Sequence, residues 1–160
     1  MHTLRVCLIS ILAILLAAPT ALNAEEDSGR RAASYVPRLA DLMVVIQIRH
    51  AKLFYAAKAK NWPLADYELE QLAGTLTEAG RYYPNTAPPM SLAEQIRSSL
   101  SEAIKTKNEA NFDQAFDEMS AGCNRCHGAA DRAFIVIRRP SYPSAFSNQQ
   151  YSSRPSGRQK

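Results

Sequence analysis

Apolar residues recur at steps of three and four along most of the chain, and this spacing predicts amphipathic α-helices. Polar turns and a proline-rich segment separate four such runs, and the alternation that would predict strands is missing. The predicted helices span Pro37–Lys60, Asn61–Gly80, Ser91–Ile104 and Glu109–Arg138. Four amphipathic helices with short connections favour an all-α fold, an up-down-up-down four-helix bundle.

Local signals mark several helix ends. Asn61 is a suitable N-cap for the second helix, and Ser91-x-x-Glu94 has the spacing of a capping box for the third. Pro140 would stop the fourth. Phe134 continues the apolar stripe of that fourth helix, so we expect it in the core.

Two features of the second helix lead to further expectations. Trp62 and Tyr67 are expected to pack at the corner between the first and second helices. The acidic residues of the second helix are expected to form a solvated face, and they are Asp66, Glu68 and Glu70.

The N-terminus has the three regions of a secretory signal peptide. Arg5 precedes an almost wholly apolar run over Val6–Ala18, and small residues then lead to Ala24. The run has about 13 residues, against the ~20 needed to span a bilayer. We therefore expect cleavage after Ala24 and export to the periplasm, with an uncleaved membrane anchor as the alternative. No other stretch is apolar enough to span a membrane, so stable insertion after cleavage is not expected.

The rest of the chain divides into a lead at 25–35, a four-helix domain at 36–139 and a tail at 140–160. The tail is rich in Ser, Pro and Arg, a composition that predicts partial disorder. The formal net charge is +4, and no aromatic-basic patch accompanies it. A nucleic-acid partner is therefore not expected.

Cys123-Asn124-Arg125-Cys126-His127 has the C-x-x-C-H pattern of covalent haem attachment. On a helix, residues three and four apart share one face, so Cys123 and Cys126 can reach two vinyl groups of one porphyrin. His127 can then direct its imidazole at the iron, because a neutral ring nitrogen donates to iron. The sequence therefore predicts one covalently attached haem c, enclosed by the helices.

Three other uses of the cysteine pair are open. A structural zinc site needs four ligands, typically two such pairs, and the mature chain has one pair. A thioredoxin-like dithiol needs a strand before it, where this sequence predicts a helix. A disulfide within one helical turn would constrain little. The third cysteine, Cys7, is expected to leave with the signal peptide.

With its haem motif in the last of four helices, the chain resembles the class II c-type cytochromes, the cytochrome c′ type of four-helix bundle. The resemblance covers about Val36–Arg138. It implies attachment at Cys123 and Cys126, a proximal iron ligand at His127 and a haem lying against the first helix. Such proteins are often dimers, so a homodimer is one expectation. The long helix after the motif and the Pro/Ser/Arg tail depart from that family.

The residue that faces the haem iron on the side opposite His127 decides the function. The first helix offers Met43, Gln47 and His50 on or beside its apolar stripe. Met43 and His50 lie about 10 Å apart along a helix, so they cannot both bind one iron. With His127 well before the end of the fourth helix, the matching level on the first helix is near residues 47–50. This favours His50 as the sixth ligand, with Met43 as the alternative and an open site as the third case.

A six-coordinate iron suits a periplasmic electron carrier rather than an enzyme, and this is the function that the sequence favours. An open iron would favour binding or sensing of NO or CO instead. A peroxidase-type enzyme would need a distal acid-base group beside an open iron. The partners of a carrier are other redox proteins, and the basic tail would suit an acidic one.

Overall fold

The computed structural model describes residues 35–86, 90–141 and 148–153, and in these it contains four α-helices and no strand. All four helices belong to one compact unit that begins at Pro37. The all-α prediction is confirmed. The helices are α1 (Leu39–Lys58), α2 (Trp62–Tyr82), α3 (Met90–Lys105) and α4 (Glu109–Ala129).

Several predicted segments lie outside the described residues: the signal peptide at 1–24, most of the lead, and residues 142–147 and 154–160 of the tail. Export and partial disorder of the tail therefore stay predictions. Among the helices of the described part, none is both long enough and apolar enough to cross a membrane.

Asparagine side chains cap the starts of two helices. Asn61 Oδ1 accepts a hydrogen bond from Leu64 N–H at 3.3 Å, ahead of α2. Asn108 Oδ1 accepts one from Asn111 N–H at 3.0 Å, ahead of α4. These bonds satisfy N–H groups that the first turn of a helix leaves unpaired. The predicted cap of the second helix is confirmed.

The third helix is described from Met90 to Lys105, and the side chains at its start, including that of Ser91, lie outside the description. The capping box of Ser91 and Glu94 therefore stays a prediction. The Glu94 carboxylate pairs with Arg97, one turn later, at 3.0 Å.

Three helices are followed, two residues after their last residue, by a residue in the left-handed region. Lys60, Lys107 and Asp131 have φ values of 56°, 53° and 57°. Each of these turns closes with the two backbone hydrogen bonds of a Schellman motif, which after α4 include Arg132 N–H to His127 O at 2.7 Å. After α1 and α3 the next residue is the asparagine cap of the following helix, so these two corners are tight.

The helices enclose an apolar core, in which α1 and α4 run antiparallel. The rings of Phe54 on α1 and Phe116 on α4 have centroids 5.1 Å apart. Toward the end of α1, Lys58 pairs with Asp113 at 2.6 Å, so residue numbers rise on α1 as they fall on α4. Trp62, the first residue of α2, is buried and packs edge-on against Phe112 of α4. The largest fully buried apolar side chains are Phe112, Phe116, Leu53, Leu69, Leu72, Leu100 and Met119.

The fourth helix is shorter than predicted. It ends at Ala129 instead of Arg138, because Asp131 takes the left-handed conformation and the chain turns back. Residues 130–139, named here the return segment, run along α4 toward its start. Arg139 at the end of this segment binds Asp117 at 2.6 Å. The expectation that Phe134 lies in the core is therefore wrong, because its side chain is 78% exposed.

The expectation that the acidic residues of α2 form a solvated face is wrong for Glu68. Glu68 is only 2% exposed, and its carboxylate receives a hydrogen bond from Arg49 of α1 at 2.8 Å. The Arg49 guanidinium also lies 5.8 Å from the centre of the half-exposed Tyr67 ring. Burial of this carboxylate is possible because a charged partner accompanies it.

Two hydrogen bonds tie the described part of the tail to the helices. Tyr55 Oη donates to the Ser141 carbonyl at 2.8 Å. Asn61 Nδ2 donates to the Tyr151 carbonyl at 2.8 Å, and the Tyr151 ring packs on Tyr55 with centroids 5.3 Å apart. The tail therefore returns to the corner between α1 and α2.

Candidate haem-attachment site

The C-x-x-C-H motif forms the last two turns of α4. Cys123 is partly buried against the core, and Cys126 and His127 are partly exposed beyond it. Both cysteines are free thiols. The helical spacing that the attachment of two adjacent vinyl groups requires is therefore present, and neither sulfur is held in a disulfide.

The environment of the thiols weighs against the dithiol-enzyme alternative. Burial raises the pKa of the Cys123 thiol to about 11, and burial also raises the pKa of the Cys126 thiol. A dithiol enzyme needs the opposite, a thiol whose pKa is lowered so that thiolate forms near neutral pH. Among the described residues, no group of three or more His, Cys, Asp or Glu side chains is suited to a metal ion, and the zinc alternative stays open.

A backbone carbonyl fixes the His127 ring. Nδ1 of His127 lies 2.9 Å from the Ile135 carbonyl oxygen. Because a carbonyl only accepts, Nδ1 must carry the hydrogen, and in the neutral ring the lone pair is then on Nε2. Metal-binding histidines commonly make this bond with the nitrogen that does not bind the metal. His127 thus has the tautomer and the restraint of a ligand that binds through Nε2.

The carbonyl that holds His127 comes from the return segment, which the motif itself anchors. Asn124 Nδ2 donates to the Ile137 carbonyl at 2.8 Å, and Asn124 Oδ1 accepts from the Ile137 N–H at 2.7 Å. Arg139 adds ion pairs to Asp117 at 2.6 Å and to Asp113 at 3.6 Å. The segment therefore contacts α4 at three successive levels.

His50 lies in the core, on the contact line between α1 and α4. It is 4% exposed, its ring centroid is 4.4 Å from that of Phe116, and its Nε2 is 2.8 Å from Ser120 Oγ. The Ser120 hydroxyl donates its one hydrogen to the Phe116 carbonyl at 2.9 Å, so Nε2 of His50 is the donor to Ser120. Burial lowers the pKa of His50 to about 4, which keeps the ring neutral at pH 7.

The register of α1 against α4 can be extended from His50 to the motif. His50 lies opposite Ser120, and His127 lies two turns later on α4, about 10 Å along its axis. In an antiparallel pair the matching position on α1 is two turns earlier, which is Met43. The Met43 side chain is partly buried against the core.

The two candidate sixth ligands therefore differ in level. The expectation that residues 47–50 match His127 assumed a fourth helix that continues to Arg138, and α4 ends at Ala129. With the observed register, Met43 rather than His50 is level with His127. His50 also uses Nε2 as a donor to Ser120. Ligation by either residue stays a prediction.

Sequence reasoning found the two cysteines and the histidine of the motif but missed the groups that hold them. Asn124 occupies a variable position of the motif, and Ile135 acts through its backbone, so neither carries a recognisable signal. No protein-family model matches this chain, and neither does a curated protein or a solved structure.

Proposed function

We propose that this protein is an exported c-type cytochrome with one haem, which transfers electrons to or from redox partner proteins in the periplasm. One observation carries the proposal. Within a C-x-x-C-H motif on a helix, His127 donates from Nδ1 to the Ile135 carbonyl and keeps its Nε2 lone pair, while both cysteines are free thiols. This is the donor set that a covalently attached haem requires.

Each residue of the site has a distinct task in this proposal. Cys123 and Cys126 would hold the porphyrin by thioether bonds, and His127 would bind the iron through Nε2. When bound, haem iron accepts and releases one electron. The Ile135 carbonyl restrains the His127 ring, and this restraint limits the change in geometry when the charge changes.

Met43 is the residue that we propose as the sixth ligand. The register of α1 and α4 supports it, because Met43 is level with His127 and its side chain points toward the core. Nε2 of His50 is occupied by its bond to Ser120, two turns away from His127. A thioether ligand raises the reduction potential of haem and fills the site, which suits an electron carrier better than a gas sensor.

The arrangement of the helices adds a second line of support. In an up-down-up-down bundle, α1 and α4 are antiparallel neighbours, and their contacts run antiparallel in this protein. A haem attached to the last turns of α4 would then lie against the start of α1 and be enclosed by the bundle.

Haem attachment is tested by expressing the full chain in a bacterial host that exports it and attaches haem c. We expect the mature protein to gain the mass of one haem and to have no titratable thiol. Cys123→Ala with Cys126→Ala should abolish attachment completely. Cys7→Ala is the matched control and should attach haem normally, since Cys7 is expected to leave with the signal peptide. A wild-type chain that is exported, keeps two free thiols and carries no haem would contradict the proposal.

The sixth ligand is tested by carbon monoxide binding to the reduced holoprotein. Met43→Ala should open the site, so carbon monoxide should bind and shift the absorption bands. His50→Gln is the control on the same helix face and should leave the wild-type spectrum unchanged. If His50→Gln opened the iron and Met43→Ala did not, ligation by Met43 would be wrong and His50 would be the ligand.

A further inference from the structure

We propose that Asn124 is a positioning residue for His127, because its side chain holds the return segment in the register that brings the Ile135 carbonyl to the His127 ring. This inference rests on the proposed ligation of haem iron by His127. It assigns a role to a position that the haem motif leaves variable, and that role is to set how strongly His127 donates to the iron.

The Asn124 amide bonds to both backbone groups of Ile137. It donates to the Ile137 carbonyl at 2.8 Å and accepts from the Ile137 N–H at 2.7 Å. Two bonds to one residue fix the position of the segment along α4 as well as its distance from the helix. A slip of one residue would break both bonds, because it would turn those groups away from the helix.

The effect reaches Ile135 because only Val136 separates it from Ile137, the residue that Asn124 holds. The backbone of both residues faces α4, because the Ile137 N–H and carbonyl bond to Asn124 and the Ile135 carbonyl lies beside His127, although the Ile135 side chain is 42% exposed. When Ile137 is fixed to Asn124, the Ile135 carbonyl is therefore directed at α4 and lies 2.9 Å from His127 Nδ1.

The other side-chain anchors of the segment are weaker or further from Ile135. Arg139 is two residues beyond Ile137, and its pairs with Asp117 are between exposed side chains, which contribute little. The bond between His127 and Ile135 is also between partly exposed groups and is weak when alone. On the side toward α4, the connecting turn holds Ile135 through its N–H, which donates to the Arg132 carbonyl at 2.8 Å. Asn124 holds the chain on the other side of Ile135, and it is the nearest side-chain restraint on the carbonyl that orients the ring.

A carbonyl that accepts the Nδ1 hydrogen makes Nε2 more basic. A more basic ligand stabilises oxidised iron, so loss of the restraint should favour reduction. Loss of such supporting hydrogen bonds at metal sites typically changes metal affinity or activity by about 10- to 100-fold. The reduction equilibrium changes by the ratio of the losses for oxidised and reduced iron. We expect that ratio to be about tenfold in Asn124→Ala, which is about 59 mV for a one-electron couple.

The test compares purified holoprotein of wild type, Asn124→Ala and Asn111→Ala, the last a change at an exposed asparagine on the same helix. Potentials are measured against redox dyes, and exchange of the His127 Nδ1 hydrogen is measured by NMR on the reduced protein. In Asn124→Ala we expect the equilibrium constant for reduction to be about tenfold larger and the exchange of the Nδ1 hydrogen to be at least about tenfold faster. In Asn111→Ala both quantities should equal those of the wild type. Wild-type potential and exchange in Asn124→Ala would overturn the proposal.

A second pair of variants covers the case in which Asn124→Ala does not fold. Ile137→Pro removes the N–H that donates to Asn124, and Ile137→Val keeps it. Only Ile137→Pro should show the higher reduction potential and the faster exchange of the Nδ1 hydrogen. Equal potentials and equal exchange rates in the two variants would overturn the proposal.

The mass of the purified chain separates this inference from the proposed function. If the wild type carries no haem, the proposed function fails, and the positioning role is tested on the haem-free chain. His127 should then be the Nδ1–H tautomer in wild type and a mixture of tautomers in Asn124→Ala. The same tautomer ratio in both would overturn the positioning role independently.

Discussion

The two halves of α4 are built differently. The first half forms the aromatic end of the bundle, where Phe112 and Phe116 pack with Phe54 of α1 and the inward-facing residues up to Ser120 are at most 9% exposed. The second half is the motif end, where Cys123, Cys126 and His127 follow on the helix and all stay partly exposed. One half of the helix therefore supplies packing, and the other presents the residues that we propose to hold haem.

The two ends are also held by different forces. At the aromatic end many apolar contacts act together, and no single hydrogen bond decides the structure. At the motif end the return segment is held by the Asn124 amide, the His127 ring and the Arg139 ion pairs. Changes at the aromatic end should therefore affect the stability of the whole chain, whereas changes at the motif end should affect the site.

Truncation of a core ring should give the largest change in stability. Phe116→Ala removes a fully buried ring in contact with Phe54, Phe112 and His50, and we expect the free energy of unfolding to fall by about 4 kcal/mol. The measurement is urea unfolding of the holoprotein. Phe134→Ala, at the 78% exposed position of the motif end, is the matched control and should change the free energy by less than about 0.5 kcal/mol. Similar losses in both would contradict the contrast between the two ends.

Removal of the charge that accompanies Glu68 should be the next largest effect. Arg49→Ala leaves a 2% exposed carboxylate without its cation, and we expect a loss of about 3 kcal/mol, at the low end for buried pairs because Arg49 keeps a quarter of its side chain exposed. Arg97→Ala is the control, because its pairs with Glu70 and Glu94 are on the surface, and it should leave the unfolding midpoint unchanged. Equal midpoints for both variants would show that the Glu68 carboxylate is well hydrated.

The buried His50 should make stability depend on pH. Its pKa is lowered from 6.5 to about 4 in the folded chain, so the unfolded chain binds the proton more readily. Stability is therefore full above pH 6.5 and falls as the pH decreases toward 4, by at most about 3 kcal/mol. Urea unfolding at several pH values measures this, and His50→Gln should lose most of the slope. If the slope stayed the same in His50→Gln, another group would be responsible.

The sequence predicted the fold where local signals and burial agree. Lys60 and Lys107 take the left-handed conformation after α1 and α3, and each is followed directly by the asparagine that caps the next helix. The capping asparagine, which the sequence shows, therefore marks the end of the helix before it. The turn at Asp131 closes in the same way, but no cap follows it. The stripe of apolar residues continues at helical spacing to Phe134, so the sequence alone predicts that the helix continues there.

The site was predictable only as far as it lies in one stretch of sequence. The motif identifies Cys123, Cys126 and His127 without any structure. The bond from His50 to Ser120 joins residues 70 positions apart, and no local pattern predicts such a pair. The sequence expectation matched His127 to residues 47–50 by counting from a helix end at Arg138. The structure sets the level of Met43 with His127 through the contacts of His50 with Ser120 and of Phe54 with Phe116, and ligation by either residue stays a prediction.

The absorption spectrum of the purified mature protein, oxidised and reduced, with and without carbon monoxide, tests the haem proposal most directly. We expect sharp low-spin bands of one haem c that carbon monoxide does not change, because Met43 and His127 fill both axial positions. A chain exported through a host that attaches haem c and showing no haem bands would contradict haem attachment. A high-spin spectrum that shifts with carbon monoxide would contradict the filled sixth site and favour gas binding.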